Sequence, residues 1–173
     1  RCCHNNLSEA IEKGAAMAEA IPLIDEHMKQ QNRLIINDFS ITVGTVNGSG
    51  SQTANVTLLR ALFRMGIPIS GKNIFPSNIH GLPTWYTIRV NKDGFLARKP
   101  VSEIVVAMNP ASFLQDLESL PSGGVFFYAD DIKLSVARND VYLYPMPVKQ
   151  LASKADVPQN LRDYIANMVY VGV

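Results

Sequence analysis

Apolar residues recur at two spacings along the chain, which predicts strands that alternate with helices. Short apolar or alternating runs predict strands at residues 38–43, 73–75, 84–90, 103–108, 125–128 and 140–144. Helical spacing predicts helices at residues 52–65, 109–120, 147–155 and 158–167. This alternation indicates a mostly parallel α/β sheet in three layers, with helices on both faces and right-handed crossovers.

A helical extension is predicted ahead of this sheet. Apolar residues recur there near helical spacing, at Leu7, Ala10, Ile11, Ala15 and Ala18. Pro22 should kink or split the helix, since its ring removes a hydrogen bond. We therefore predict a helical extension at residues 1–32 and an α/β domain at residues 33–173. Because the chain starts without Met and ends on an apolar segment, we expect it to be a piece of a longer protein or a split subunit.

Composition narrows the class of protein. The 173 residues are 47% hydrophobic and 18% charged, as expected of one globular domain or one domain with an appendage. The formal net charge of +1 and the lack of a basic run argue against a nucleic-acid partner. No apolar run reaches the roughly 18 residues of a membrane span, and no signal-peptide pattern is present. We expect a cytoplasmic protein with no membrane partner.

The cysteines give little chemistry. Cys2 and Cys3 are adjacent and are the only two in the chain. Two neighbours cannot hold an iron–sulfur cluster, which needs about four thiolates, or a closed zinc site. A vicinal disulfide or redox pair stays open beside reduced thiols in a reducing cytoplasm.

A glycine-rich turn lies between the first strand and first helix of the α/β domain. Residues 44–55 are Gly-Thr-Val-Asn-Gly-Ser-Gly-Ser-Gln-Thr-Ala-Asn. Free N–H groups and the helix dipole make such a turn attractive to phosphate or carboxylate. Gly48 and Gly50 would let the backbone come close to a ligand, and hydroxyl donors follow at Ser49, Ser51 and Thr53.

The turn nevertheless departs from the dinucleotide fingerprint. Thr53 stands where the third glycine is expected, and no Asp or Glu follows about 20 residues later. A nucleotide-triphosphate P-loop is excluded, since no Gly-Lys-Ser/Thr is present. Three interpretations stay open: an NAD site, a tight turn with only a packing role, and a surface for a phosphate-bearing ligand or a partner.

Two other groups are candidates for a catalytic role. His80 lies on a loop with three backbone-setting residues, Pro76, Gly81 and Pro83, and fits a general base, a residue that hydrogen-bonds within the loop, or an interface residue. No nucleophile and no Gly-x-Ser-x-Gly elbow accompanies it. The pair at residues 130–131, two aspartates after a strand, fits a metal or acid–base site or a solvated turn. No catalytic set follows from either, so we predict no catalytic residue and no metal site.

Three motifs together resemble a known family. They are Val-Asn-Gly-Ser-Gly at residues 46–50, Arg-Met-Gly-Ile-Pro at residues 64–68, and Phe-Pro-Ser-Asn-Ile-His-Gly-Leu-Pro-Thr-Trp at residues 75–85. From about Leu34 to its end, the chain resembles the gamma subunit or gamma domain of 2-oxoacid:ferredoxin oxidoreductases. It looks most like the form in fused gamma–alpha chains, often of the 2-oxoglutarate type. Residues 1–32 match nothing in that family.

The resemblance implies a Rossmann-like α/β domain that is an accessory part of an enzyme. It implies a role in the coenzyme A-dependent oxidative decarboxylation of a 2-oxoacid, such as 2-oxoglutarate or pyruvate. Thiamine diphosphate, magnesium and iron–sulfur clusters are expected on partner alpha and beta subunits, with ferredoxin reached through the complex. The residues implied to contact coenzyme A are Gly48, Ser49, Gly50, Ser51 and Asn78. Rival interpretations are a free-standing dinucleotide-binding oxidoreductase and a purely structural assembly module.

Overall fold

The computed structural model describes residues 37–76, 79–133, 138–158 and 161–173. The predicted helical extension at residues 1–32, both cysteines and Asn78 lie outside the described residues. None of the helices in the described ranges is long and apolar enough to cross a membrane.

Six strands form one sheet: β1 (Asp38–Val46), β2 (Ile69–Ile74), β3 (Pro83–Asn91), β4 (Ile104–Ala107), β5 (Val125–Ala129) and β6 (Tyr142–Met146). Their order across the sheet is β2-β3-β1-β4-β5-β6. Strands β1, β4, β5 and β6 pair in parallel, whereas β3 runs antiparallel to both β1 and β2. The prediction of a mostly parallel α/β sheet is confirmed.

The reversal at β3 follows from the connection before it. Only residues 75–82 separate β2 from β3. A crossover that returns the chain parallel to a neighbouring strand needs about a dozen residues or more. Strand β3 therefore pairs with β2 in the antiparallel direction.

Four α-helices complete the described fold: α1 (Ser51–Arg64), α2 (Phe113–Glu118), α3 (Val148–Lys154) and α4 (Arg162–Met168). A 3-10 turn, Val169–Val171, follows α4. Helix α2 is shorter than predicted because residues 109–112 form a turn, in which Asn109 Oδ1 accepts a hydrogen bond from Ala111 N–H at 2.9 Å. An asparagine side chain that bonds the backbone two residues on favours such a turn over helix.

The helices cover both faces of the sheet. On one face Tyr86 of β3 lies close to Leu59 of α1, both against Gly71 of β2. On the other face the Phe113 ring of α2 packs edge-on against Phe126, with centroids 5.4 Å apart. Because successive strand residues point to opposite faces, these contacts assign α1 and α2 to different faces. The predicted placement of helices on both faces is confirmed.

The two faces of the β1–β3 pair differ in chemistry. The face toward α1 carries buried Ile41, Val43 and Ile88. The opposite face, called here the polar face, is formed by Asp38, Ser40, Thr42, Thr87, Arg89 and Asn91. A polar sheet face needs hydrogen-bonding cover, since buried polar groups without partners are costly.

Residues 92–103 supply part of that cover. Lys99 Nζ lies 3.3 Å from Asp38 Oδ1 and 3.2 Å from Glu103 Oε1. Glu103 Oε2 accepts a hydrogen bond from Ser40 N–H at 2.7 Å. Buried Arg89 forms an ion pair with Asp38 and donates to the Val90 carbonyl at 2.6 Å.

We expect the Asp38–Arg89 pair to steepen acid unfolding. The hydrogen bond from Arg89, aided by Asn91 and Lys99, lowers the pKa of Asp38 from 3.8 to about 2. A depressed folded-state pKa gives stability that is present above the unfolded value and is lost as pH falls through the folded value. The Asp38→Asn variant should therefore have a shallower decline of unfolding free energy between pH 4 and pH 2. Asp93→Asn, which removes only a surface pair with Lys92, is the control; equal slopes for wild type and Asp38→Asn would refute the assignment.

Candidate functional site

The glycine-rich turn joins the end of β1 to the start of α1. Ser49 N–H donates to the Val46 carbonyl at 3.1 Å and closes the turn. Gly48 and Gly50 have φ values of 85° and 82°, which are left-handed conformations. Only glycine adopts that region without a steric penalty from Cβ. The two glycines are therefore required by the backbone path itself.

The start of α1 has no capping side chain. Gly50 occupies the N-cap position without a side-chain hydrogen bond, and the first turn contains no acidic residue. Thr53 N–H donates to the Gly50 carbonyl at 3.3 Å, whereas the N–H groups of Ser51 and Gln52 have no hydrogen-bond partner within the described residues. The dipole of this 14-residue helix places partial positive charge at the same end. An anionic group is the natural complement of such a helix end.

A cavity of about 400 Å³ lies at this helix end. Its lining combines backbone of the turn, amide side chains, aromatic side chains and threonines: Gly48, Gly50, Ser51, Asn47, Gln52, Asn55, Asn73, Phe75, Trp85, Tyr164, Thr45 and Thr84. Among these described residues there is no acidic side chain to repel an anion and no basic one to attract it. Attraction to an anion would therefore come from backbone N–H groups and the helix dipole.

The predicted contact residues do not all face this cavity. Gly48, Gly50 and Ser51 line it, and the Ser51 hydroxyl lies 2.9 Å from the Thr45 hydroxyl. Ser49 lines a second cavity of about 260 Å³, together with Asp131 and Lys149. The Ser49 hydroxyl is buried and has no hydrogen-bond partner in the described ranges. Asn78 is not among the described residues, and all five contacts stay predictions.

Two side chains lie directly against the glycines. A Cβ at Gly48 would come within 2.2 Å of the His80 ring, and one at Gly50 within 2.4 Å of the Tyr164 ring. Asn47 connects the turn to the loop that bears His80, since its N–H donates to Leu82 O and its carbonyl accepts from Gly81 N–H. His80 therefore packs on the turn, and within the described part of the chain no hydrogen bond joins its ring to an acid or a nucleophile.

The end of the chain contributes residues that the sequence did not reveal. Asn167 Nδ2 of α4 donates to the Ser49 carbonyl at 2.9 Å. The Tyr170 hydroxyl donates to Asn55 Oδ1 of α1 at 2.8 Å, and burial raises the pKa of Tyr170. Helix α4 thus holds the glycine-rich turn, and the 3-10 turn that follows α4 holds the start of α1.

We expect Tyr170→Phe to destabilise the domain by about 1–3 kcal/mol, because Asn55 Oδ1 is left buried without its donor. Urea unfolding gives the free energy. Tyr142→Phe, at an exposed position, is the matched control and should change stability by less than about 0.5 kcal/mol. A Tyr170→Phe variant as stable as the control would show that this hydrogen bond does not hold α1.

Trp85, the last residue of the Phe75–Trp85 motif, is held by α2 on the face of the sheet opposite α1. Its Nε1–H donates to Asp116 Oδ1 at 2.6 Å, and the Ser112 hydroxyl lies 2.9 Å from Asp116 Oδ2. Burial raises the pKa of Asp116, and the two hydrogen bonds partly oppose that rise. Gly44 makes room for this carboxyl, since a Cβ there would come within 2.5 Å of Oδ2.

Comparison with known proteins identifies the family. The family model described as pyruvate ferredoxin/flavodoxin oxidoreductase matches residues 40–173, which is most of the chain. The chain belongs to this family. The resemblance to gamma-type chains of 2-oxoacid:ferredoxin oxidoreductases is thereby confirmed at the level of the family. No curated protein sequence matches the chain.

Solved structures agree in fold. A 2-oxoglutarate:ferredoxin oxidoreductase from Magnetococcus marinus, with 2-oxoglutarate, coenzyme A and succinyl-CoA bound, matches with a TM-score of 0.67 and 23% identity, over 80% of this chain and 24% of that chain. The gamma subunit of a keto/oxoacid ferredoxin oxidoreductase from Geobacter sulfurreducens matches with a TM-score of 0.60 and 15% identity, over 78% and 73% of the two chains. A pyruvate oxidoreductase subunit from Thermotoga maritima gives 0.52 and 13%, over 79% and 96%. The chain therefore spans about a quarter of the Magnetococcus marinus protein and shares its fold with the matched part of each of the three.

Proposed function

We propose that this chain is the gamma-type subunit or domain of a 2-oxoacid:ferredoxin oxidoreductase and supplies no catalytic residue itself. Its role is to support coenzyme A-dependent oxidative decarboxylation by assembling with alpha and beta subunits and by contributing to the coenzyme A site. The family match and the gamma-subunit fold support this proposal. Thiamine diphosphate, magnesium and iron–sulfur clusters belong to the partner subunits, and ferredoxin meets the assembled complex.

The observation that carries the coenzyme A proposal is the cavity at the start of α1. Uncapped N–H groups fit the phosphates of coenzyme A, and the aromatic side chains of Phe75 and Tyr164 fit its adenine ring. The lining has no carboxylate that would repel those phosphates. When bound, coenzyme A supplies the thiol that receives the acyl group. The protein of Magnetococcus marinus, about a quarter of which has this fold, holds coenzyme A.

Phe75→Ala tests this role with little risk to the fold, because the Phe75 side chain is 52% exposed. In the assembled enzyme, we expect the Michaelis constant for coenzyme A to rise about 3- to 10-fold, the size of a lost aromatic contact, with kcat unchanged. Phe63→Ala is the matched control, since Phe63 is 66% exposed on α1 and lines none of the described cavities. Equal Michaelis constants for both variants would remove the coenzyme A contact and leave assembly.

A second candidate, an assembly module without a ligand, is favoured by one contact. The Tyr164 ring covers Gly50, so part of the turn is occupied by the protein itself. This interpretation predicts that Phe75→Ala changes neither constant, and that variants of the turn act through the yield of the complex, which size-exclusion chromatography measures. The dinucleotide alternative is disfavoured by the end of β2, where Asn73, Ile74 and Phe75 include no acid for a ribose hydroxyl.

A further inference from the structure

A separate cavity of about 260 Å³ lies on the polar face of the sheet, away from the face that packs against α1. The side chains that give it its chemistry are Thr42, Thr87, Arg98, Ser102, Gln115 and Asp116. Of these, Thr87 and Asp116 are almost fully buried. The whole lining draws on three strands, β1, β2 and β3, on the segment that covers the polar face, and on α2.

Three of the four hydroxyl groups of this lining form a cluster that leaves a proton without an acceptor, while the fourth, Ser119, donates to the Asp116 carbonyl at 2.8 Å. Thr42 Oγ1 lies 2.7 Å from Ser102 Oγ and 3.3 Å from Thr87 Oγ1. Three hydroxyl protons therefore share two contacts, and at least one proton is not used within the cluster. No other acceptor for it appears in the described part of the chain, so the cluster can donate a hydrogen bond into the cavity.

The cationic side chains of the lining also favour an anionic ligand. Lys99 is held by Asp38 and Glu103. Arg98 has no ion-pair or hydrogen-bond partner in the described ranges, so it contributes an uncompensated cation. The Asp116 oxygens are both occupied, one by Trp85 Nε1–H and the other by the Ser112 hydroxyl. What the cavity offers to an anion is therefore the Arg98 cation, a spare hydroxyl proton and the amide of Gln115. The Asp116 carboxyl opposes an anion, but burial raises the pKa of Asp116 and so favours its neutral form.

Neighbouring positions on the polar face are also short of partners. Ser40 and Arg89 pair across β1 and β3, and both are almost fully buried. Ser40 Oγ and Arg89 Nε have no hydrogen-bond partner within the described residues. Buried polar atoms are paired in most proteins, and an ion or a water on this face is one explanation for the exceptions, although neither residue lines the cavity itself.

We infer that this polar-face cavity binds a small oxyanion, a carboxylate or a phosphate group. Guanidinium groups recognise both anions through paired N–H donors, and hydroxyl donors complete the coordination of the remaining oxygens. This site does not depend on the coenzyme A proposal, because Arg98, Thr87 and Ser102 line this cavity and not the one at the glycine turn.

Trp85 gives a direct readout of binding. It is the only tryptophan of the chain, and it lines this cavity with its indole N–H bonded to Asp116. We would titrate the full chain with sodium phosphate, and separately with sodium acetate, and follow the indole resonance by NMR at constant ionic strength. A saturable shift with either anion is expected, and the anion that saturates at lower concentration identifies the ligand class.

The variants decide where the anion binds. Arg98 is exposed, so Arg98→Gln should leave the fold intact. The variant should raise the dissociation constant for the anion about 10-fold or more by removing a charge-assisted pair. Thr87→Val should weaken binding as well, while Arg60→Gln on α1 should leave it unchanged. A response that does not saturate, or that persists in both Arg98→Gln and Thr87→Val, would overturn the site. Because Trp85 also lines the glycine-turn cavity, a response abolished by Phe75→Ala and kept in Arg98→Gln would overturn it too.

Discussion

Gly50→Ala is expected to lower the free energy of unfolding by about 2–5 kcal/mol. Two costs add. The left-handed φ of 82° costs a non-glycine residue about 1–2 kcal/mol. The new Cβ would lie 2.4 Å from the Tyr164 ring, and overpacking of this kind costs about 1–3 kcal/mol. Urea unfolding followed by circular dichroism measures the loss.

Gly66→Ala separates the two costs. Gly66 has nearly the same φ, 80°, but a Cβ there meets nothing within 4 Å. It should therefore lose only the backbone part, about 1–2 kcal/mol. Adding Tyr164→Ala to Gly50→Ala should recover the steric part. If Gly50→Ala and Gly66→Ala cost the same, the packing of α4 on the turn is not as described.

Asp116→Ala is the second large effect, with an expected loss of about 2–4 kcal/mol. It leaves Trp85 Nε1–H and the Ser112 hydroxyl, both on buried or half-buried residues, without their acceptor. Asp116→Asn keeps the shape and an acceptor for Trp85, so it should stay within about 1 kcal/mol of wild type at pH 4. The free energies of unfolding in urea at pH 4 and pH 7 test these expectations.

The raised pKa of Asp116 determines how the stability of the domain changes with pH. Burial raises the pKa of Asp116, so the folded state favours the protonated carboxyl. The stability that this group contributes is complete below its unfolded pKa of 3.8 and is lost as pH rises through the folded value. The Asp116→Asn variant should therefore gain stability relative to wild type between pH 4 and pH 7. A difference that stays constant over that range would contradict the buried carboxyl.

Much of the fold could be predicted because its signals are local. The strand runs at residues 38–43 and 103–108 and the helix at residues 52–65 all appear in the structure at nearly those positions. The antiparallel direction of β3 was not predicted, since direction depends on the length of a connection and not on the strand itself. The eight residues of the 75–82 loop contain that information, as they are too few for a crossover.

Only the part of the candidate site that is local in sequence, the glycine-rich turn, could be predicted. Gly48 and Gly50 stand out because left-handed turns need glycine. Tyr164, Asn167 and Tyr170 do not stand out, since each is more than 100 residues from its contact in the turn or in α1. Long-range contacts of this kind depend on the packing of α4 against α1, for which a single sequence has no local pattern.

The polar face shows the same limit. Asp38, Ser40 and Thr42 alternate with apolar residues in β1, which is the pattern of a strand with one solvated side. In the structure that side is covered by residues 92–103, and Ser40 is fully buried. Alternation therefore gave the strand correctly but not the buried ion pairs, which depend on where a distant irregular segment lies.

The central claim is that this chain works inside a coenzyme A-dependent 2-oxoacid:ferredoxin oxidoreductase. The most direct measurement is to purify the chain with a tag from its own cells under anaerobic conditions and to assay 2-oxoacid oxidation with an electron-accepting dye. We predict that the chain elutes in a larger complex, that the oxidation requires coenzyme A, and that the activity co-elutes with the chain. Recovery of the chain as a monomer, with the activity in other fractions, would contradict the claim.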